Sequence, residues 1–144
     1  MILQQSTFQE GGWSPKQAQA QSAKAFVNWA DFPQAAVSLQ GQPLYAVLEN
    51  LDHPGFAYGV RLQTESSKTT WLHQDMSGVE HGFPSLVAHP QGGWLAIWLD
   101  GRGGEGNGHG SEGERMSLMA TRVSPEGAAT WEIVIDEHAC SCCS

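Results

Sequence analysis

Two stretches decide the fold: "DFPQAAVSLQGQPLYAVLEN", Asp31 to Asn50, and "GFPSLVAHPQGGWLAIWLDG", Gly82 to Gly101. They align without a gap at an offset of 51 residues, placing Phe32 on Phe83, Pro33 on Pro84, Gly41 on Gly92, Leu44 on Leu95, Leu48 on Leu99 and Glu49 on Asp100. Each reads as a strand, a turn at glycine and a second strand rich in β-branched and aromatic residues. The likeness continues downstream, where Arg61 aligns with Arg122 at an offset of 61 and "TTW", Thr69 to Trp71, meets "ATW", Ala129 to Trp131, at an offset of 60. The offset grows because the second copy carries a glycine-rich insertion, "RGGEGNGHGSEGE", Arg102 to Glu114. Trp13, in "GGWSP", lies 58 residues before Trp71 and reads as the tail of a further unit.

Three more short runs supply the remaining strands: "FAYGVRLQT" from Phe56, "RMSLMATRV" from Arg115 and "WEIVID" from Trp131. A unit thus opens at Phe-Pro, turns at Gly, runs back, crosses to a third strand and ends on a fourth beginning at Thr-Trp. Four short antiparallel strands repeated every ~40 to 60 residues are the signature of a β-propeller blade, with a β-sandwich of accidentally similar halves as the alternative. The expected fold class is therefore all-β, a partial β-propeller of two four-stranded antiparallel blades and the end of another. Residues 1–30 are expected to form the end of a preceding blade and a connection, 31–78 one blade, 79–136 a second blade with its insertion at 101–114, and 137–144 the start of a further connection or blade. Since a propeller closes with at least ~4 blades, the chain is expected to be part of a longer propeller or to complete one by self-association. One segment stays open: "SPKQAQAQSAKAFVNW", Ser14 to Trp29, has a serine cap and a first-turn proline, yet beyond its alanines the apolar residues gather only at Phe26 and Val27. A helix and an extended loop both fit that pattern.

Composition narrows the function classes. The 144 residues are 40% hydrophobic with six tryptophans, enough to build a core, and carry 15 acidic against seven basic side chains for a formal charge of -8. Sequence-independent binding to nucleic acid or anionic lipid needs Lys/Arg surfaces and is excluded on that balance. No apolar run reaches the ~20 residues of a membrane-spanning helix, and "MILQQSTFQEGG" lacks the basic segment and apolar core of a signal peptide. All three cysteines fall in "HACSCCS", His138 to Ser144.

The stretches "NWADFP" (Asn28 to Pro33), "EHGFPSL" (Glu80 to Leu86) and "WLDGR" (Trp98 to Arg102), with the run from Asp136 to Cys143, carry a resemblance. From Gly12 onward the chain resembles the sialidase-like Asp-box (BNR) repeat propellers, and within them a bacterial group of exported proteins with a Cys-x-Cys-Cys motif. The resemblance implies a periplasmic or secreted protein that handles glycans. The Asp-box, Ser-x-Asp-x-Gly-x-Thr-Trp, is degraded here. "TESSKTTW" (Thr64 to Trp71) has Ser66 at the Asp position and Lys68 at the Gly position, while "SPEGAATW" (Ser124 to Trp131) has Glu126 at the Asp position and its glycine one place early. Phe32, Phe83, Trp13, Trp71 and Trp131 are the structural positions of the repeat.

A sialidase mechanism asks for three arginines on a carboxylate, a tyrosine nucleophile with a glutamate partner and an aspartate acid/base. The four arginines are Arg61, Arg102, Arg115 and Arg122, two of them at aligned repeat positions, and neither Tyr45 nor Tyr58 has a partner visible in the sequence. No catalytic residue is assigned on that pattern. The expected function is a ligand-binding, carbohydrate-binding or scaffold module, with a fragment of an exo-α-sialidase type glycoside hydrolase as the alternative.

Candidate ligand-binding residues are Asp100, Arg102, Glu105 and His109. Asp100 and Arg102 either pair with each other or leave the guanidinium for a bidentate anion. The segment from Gly101 to Gly113, with seven glycines in 13 residues, either wraps a cation or sugar or is a surface insertion. Candidate metal ligands are Cys140, Cys142, Cys143 and His138, chemically suited to Cu or Zn. A disulfide competes, because the spacing departs from the two-residue gap of zinc knuckles and Cys-x-Cys on a strand points two thiols to one face.

Overall fold

The computed structural model describes residues 1–55, 57–103 and 116–139. Two four-stranded antiparallel sheets dominate it, each a simple meander in chain order, and no α-helix occurs among the described residues. The first sheet comprises β5 (Gln34–Val37), β6 (Pro43–Asn50), β7 (Tyr58–Thr64) and β8 (Thr69–Trp71). The second comprises β9 (His81–Ala88), β10 (Trp94–Asp100), β11 (Met116–Val123) and β12 (Ile133–Ala139). Before them come β1 (Ile2–Gln5), β2 (Phe8–Gln9), β3 (Gly12–Trp13) and β4 (Gln17–Gln21), with β1 paired to β4 and β2 to β3. The segment that left helix and loop open is thus extended, since Gln17–Gln21 forms a strand against β1.

The repeat is real at the level of hydrogen bonds. In the first turn Ser38 N donates to Gln42 O and Gly41 N to Ser38 O; His89 N donates to Gly93 O and Gly92 N to His89 O at the same offset. Gly41 and Gly92 both take positive φ, which glycine adopts without a Cβ penalty. The later turns match as well: Thr64 N to Lys68 O and Ser67 N to Thr64 O correspond to Ser124 N to Ala128 O and Gly127 N to Ser124 O. Ser67 and Gly127 share the left-handed conformation at φ 61° and 83°, so the two segments make the same turn.

That register corrects one alignment. The shared turn sets Arg61 beside Thr121 rather than Arg122, a slip of one residue that sends the two arginines to opposite faces. Arg61 Nε lies 2.7 Å from Glu49 Oε1, whereas Arg122 Nη2 donates to Gln91 O at 3.1 Å. The second unit departs again at its fourth strand, which is only a bridge at Ala129 before β12 begins at Ile133 and runs past Asp136 to Ala139. Trp71 is half-buried on β8, while Trp13, Phe32 and Trp131 are exposed. Phe83 lies in β9 where Phe83 and Pro84 oppose Trp98 alone, a bulge that gives Phe83 a φ of 52°.

One core fills the space between the sheets. Leu44, Ala46, Leu48, Val60 and Leu62 of the first meet Trp94, Ala96, Trp98, Met119 and Val123 of the second. Burying each large side chain among them contributes about 1.5–3 kcal/mol, the main stabilising term of the fold. The faces that meet are not equivalent ones. At the 51-residue offset Leu44, Ala46 and Leu48 correspond to Leu95, Ile97 and Leu99, which point away from the first sheet. The sheets therefore stack head to tail. Tyr45, Arg61 and Gln63, on the far face of the first sheet, are covered by the β1/β4 ribbon: the Tyr45 hydroxyl donates to Gln5 Oε1, Gln63 Nε2 to Gln19 O, and Arg61 Nη2 to Gln21 O at 3.2 Å.

Candidate functional site

The chemistry-bearing side chains gather in the seam between the sheets. β9 and β10 set His81 directly opposite Asp100, both on the face turned toward the first sheet. The link after β8 brings His73 and Asp75 over them. His73 and His81 rings stack with centroids 3.9 Å apart and planes 9° from parallel. His73 Nε2 accepts from Val60 N at 3.1 Å and its Nδ1 lies 2.6 Å from Asp75 O, so this ring ties β7 to the link. Gly59 makes room for it, since a Cβ there would stand 2.7 Å from His73 Nε2. Burial, helped by the neighbouring His81, lowers the His73 pKa to about 4 and leaves it neutral at pH 7.

Asp100 is fully buried yet well held. Its Oδ2 accepts from Trp98 Nε1 at 2.8 Å and Arg102 Nη2 at 2.7 Å, and its Oδ1 accepts from Arg102 Nε at 2.8 Å and the Arg102 amide at 3.0 Å. Burial raises its pKa, but the Arg102 fork and the other donors outweigh that and hold the carboxyl below its ordinary value. The third nitrogen of Arg102, Nη1, donates to Glu132 Oε2 at 2.8 Å, and Glu132 Oε1 accepts Gln74 N at 2.5 Å. Asp100 and Arg102, the sequence candidates for an anion site, are thus paired with each other, and Arg102 keeps a partly exposed edge at the rim. Asp75 Oδ2 accepts the Ser77 hydroxyl at 2.7 Å and lies 3.2 Å from His81 Nε2, which is 3.6 Å from Asp100 Oδ2.

A second cluster occupies the same seam. The Tyr58 hydroxyl donates to Glu80 Oε1, and Tyr58 is stacked beneath Phe26 at 4.4 Å between centroids. Asp31 Oδ2 accepts Phe83 N at 2.8 Å, a contact that the bulge makes by turning that amide inward. Burial, with repulsion from Glu80, raises the Asp31 pKa to about 6 against the opposing Phe83 hydrogen bond. Burial and then Glu80 push the Tyr58 hydroxyl far above its ordinary value. Gly82 allows the approach, because a Cβ there would lie 2.4 Å from Asp31 Oδ2 and 2.9 Å from the Tyr58 hydroxyl.

Tyr58 therefore has the glutamate partner that the sequence did not reveal. The bridge that brings Glu80 to Tyr58 is a parallel pairing between the two units, and no local pattern encodes it. His73 and Asp75 were missed for the same reason, and Glu80 and His81, readable as candidate additions to a metal site from another unit, could not be placed with these partners. Of the proposed cysteine and histidine ligands, His138 lies on β12 and is exposed. Cys140, Cys142 and Cys143, like Glu105 and His109, lie outside the described residues. No helix among the described residues is long and apolar enough to cross a membrane. No family model, curated protein or solved structure matches the chain.

Proposed function

We propose that this chain is a non-catalytic section of a sialidase-like β-propeller, serving as a carbohydrate-binding, other small-ligand-binding or scaffold module. The observation that supports it is the burial in the seam of Asp31, Tyr58, His81 and Asp100, which are 2%, 1%, 0% and 0% exposed. The two buried carboxyls and the tyrosine hydroxyl are hydrogen-bonded to neighbouring protein groups, Asp31 to the Phe83 amide, Asp100 to Trp98 and Arg102, and Tyr58 to Glu80. A ligand is met instead at the rim, where Arg102 keeps an exposed edge beside the glycine-rich segment. Periplasmic or secreted placement rests on the family resemblance, whereas a Cu or Zn site at His138, Cys140, Cys142 and Cys143 rests on the ligand chemistry of those side chains, with a disulfide as the competing use of the cysteines.

A second reading, the glycoside hydrolase fragment, draws on the Tyr58–Glu80 hydrogen bond and the nearby Asp31, a tyrosine, its base and an acid. Incubating the intact protein with a fluorogenic sialoside between pH 4 and 8 separates the two. The scaffold reading expects no release above the uncatalysed rate; release that disappears in Tyr58→Phe overturns it.

A further inference from the structure

We infer that Asp75, His81 and Asp100 form a binding site for one divalent first-row cation such as Zn²⁺ or Mn²⁺, built into the seam between the two sheets. Their ligand atoms lie within 4.8 Å of one another. A pair of acidic groups alone is no site, but His81 adds an independent observation. Its ring is fully buried, and neither nitrogen has a hydrogen-bond partner among the described residues. A buried polar ring left unsatisfied in this way is destabilising. Nε2 nonetheless sits 3.2 Å from Asp75 Oδ2, out of line for an N–H bond, and 3.6 Å from Asp100 Oδ2, too far for one.

Those separations suit a shared metal better than a shared proton. With ligand bonds of ~2.1 Å the two separations from His81 correspond to angles of about 100° and about 118° at an ion, both within the range of a four-coordinate site. The donor set of one imidazole and two carboxylate oxygens matches borderline divalent ions and leaves a coordination position open. Charge points the same way: three carboxylates, Asp75, Asp100 and Glu132, face one guanidinium, Arg102. Trp98 and Arg102 on Asp100, and the Ser77 hydroxyl on Asp75, are then the outer hydrogen bonds that fix the two carboxylates for the ion.

The cysteine run is a separate metal candidate, so the test starts from the full chain with Cys140, Cys142 and Cys143 changed to Ser. Zn²⁺ titration by calorimetry should give one ion per chain, and Co²⁺ substitution should give visible d–d bands without thiolate charge transfer. Asp75→Asn in that background keeps the side chain's shape at a partly exposed position. It should weaken Zn²⁺ at least tenfold while the circular dichroism stays unchanged. The proposal fails if the cysteine-free protein takes up no Zn²⁺ or Mn²⁺, or if Asp75→Asn binds as tightly as its parent. An NMR titration showing His81 as a cation in metal-saturated protein also overturns it, making the seam a plain ion network.

Discussion

Asp31 is the residue whose environment has the most direct solution signature. Its carboxyl faces Glu80, the Tyr58 hydroxyl and the Phe83 amide, and burial holds its pKa near 6 against an ordinary 3.8. The folded chain thus keeps a proton that the unfolded chain releases. The stability this group contributes is fully present below about pH 4 and is lost as pH rises through 6. Asp31→Asn should leave thermal stability nearly unchanged at pH 4, then exceed the parent by up to about 3 kcal/mol at pH 7.5. An equal difference at both pH values sinks the assignment. None of this was legible in the sequence, where Asp31 was simply the residue before Phe-Pro. Asp100 and Arg102, two positions apart on one strand end, were readable as a pair because their contact is local. The Tyr58 to Glu80 contact spans two units and was not.

At the scale of elements, the turns explain which glycines matter. Gly93 takes a φ of 72°, and a Cβ there would stand 2.2 Å from Val123 O, on the strand that β10 must pair with. Gly41, in the corresponding turn of the first sheet, has a φ of 82° but nothing within 4 Å of its Cβ. Gly41→Ala should therefore cost about 1 kcal/mol for backbone strain alone, and Gly93→Ala roughly 2–4 kcal/mol, read as urea midpoints. Similar losses at both sites contradict the close approach. The aligned glycines at 41 and 92 announced these hairpins from sequence, as did the alternating strands around them. The turns at Ser67 and Gly127 were harder to read, because Ser67 holds a left-handed conformation that glycine adopts without strain, and residue type alone hid their equivalence. Ser14 to Trp29 carried helix-start chemistry, yet pairing of Gln17–Gln21 with β1 satisfies the backbone instead.

At the scale of the whole molecule, the described residues form a stack of a ribbon and two sheets. The β1/β4 ribbon covers one side of the first sheet and the second sheet covers the other. On the far side of the second sheet, Leu95, Ile97 and Leu99 are half-buried and Val87 beside them is exposed. An apolar face of this kind seeks a partner. The isolated 144-residue chain should show concentration-dependent association in sedimentation velocity, reduced by Ile97→Lys; a sharp monomer at ~100 μM argues against a propeller that continues past this face. The two-unit repeat was plain in the sequence, but its direction was not, since an offset says which residues correspond and not which faces touch. Unlike-face stacking has a consequence for growth of the chain. A joint between dissimilar surfaces can be copied without redesign, because every added unit brings the socket that the next one fills. Duplication of one unit therefore lengthens such a protein in a single event, with each new junction already matched.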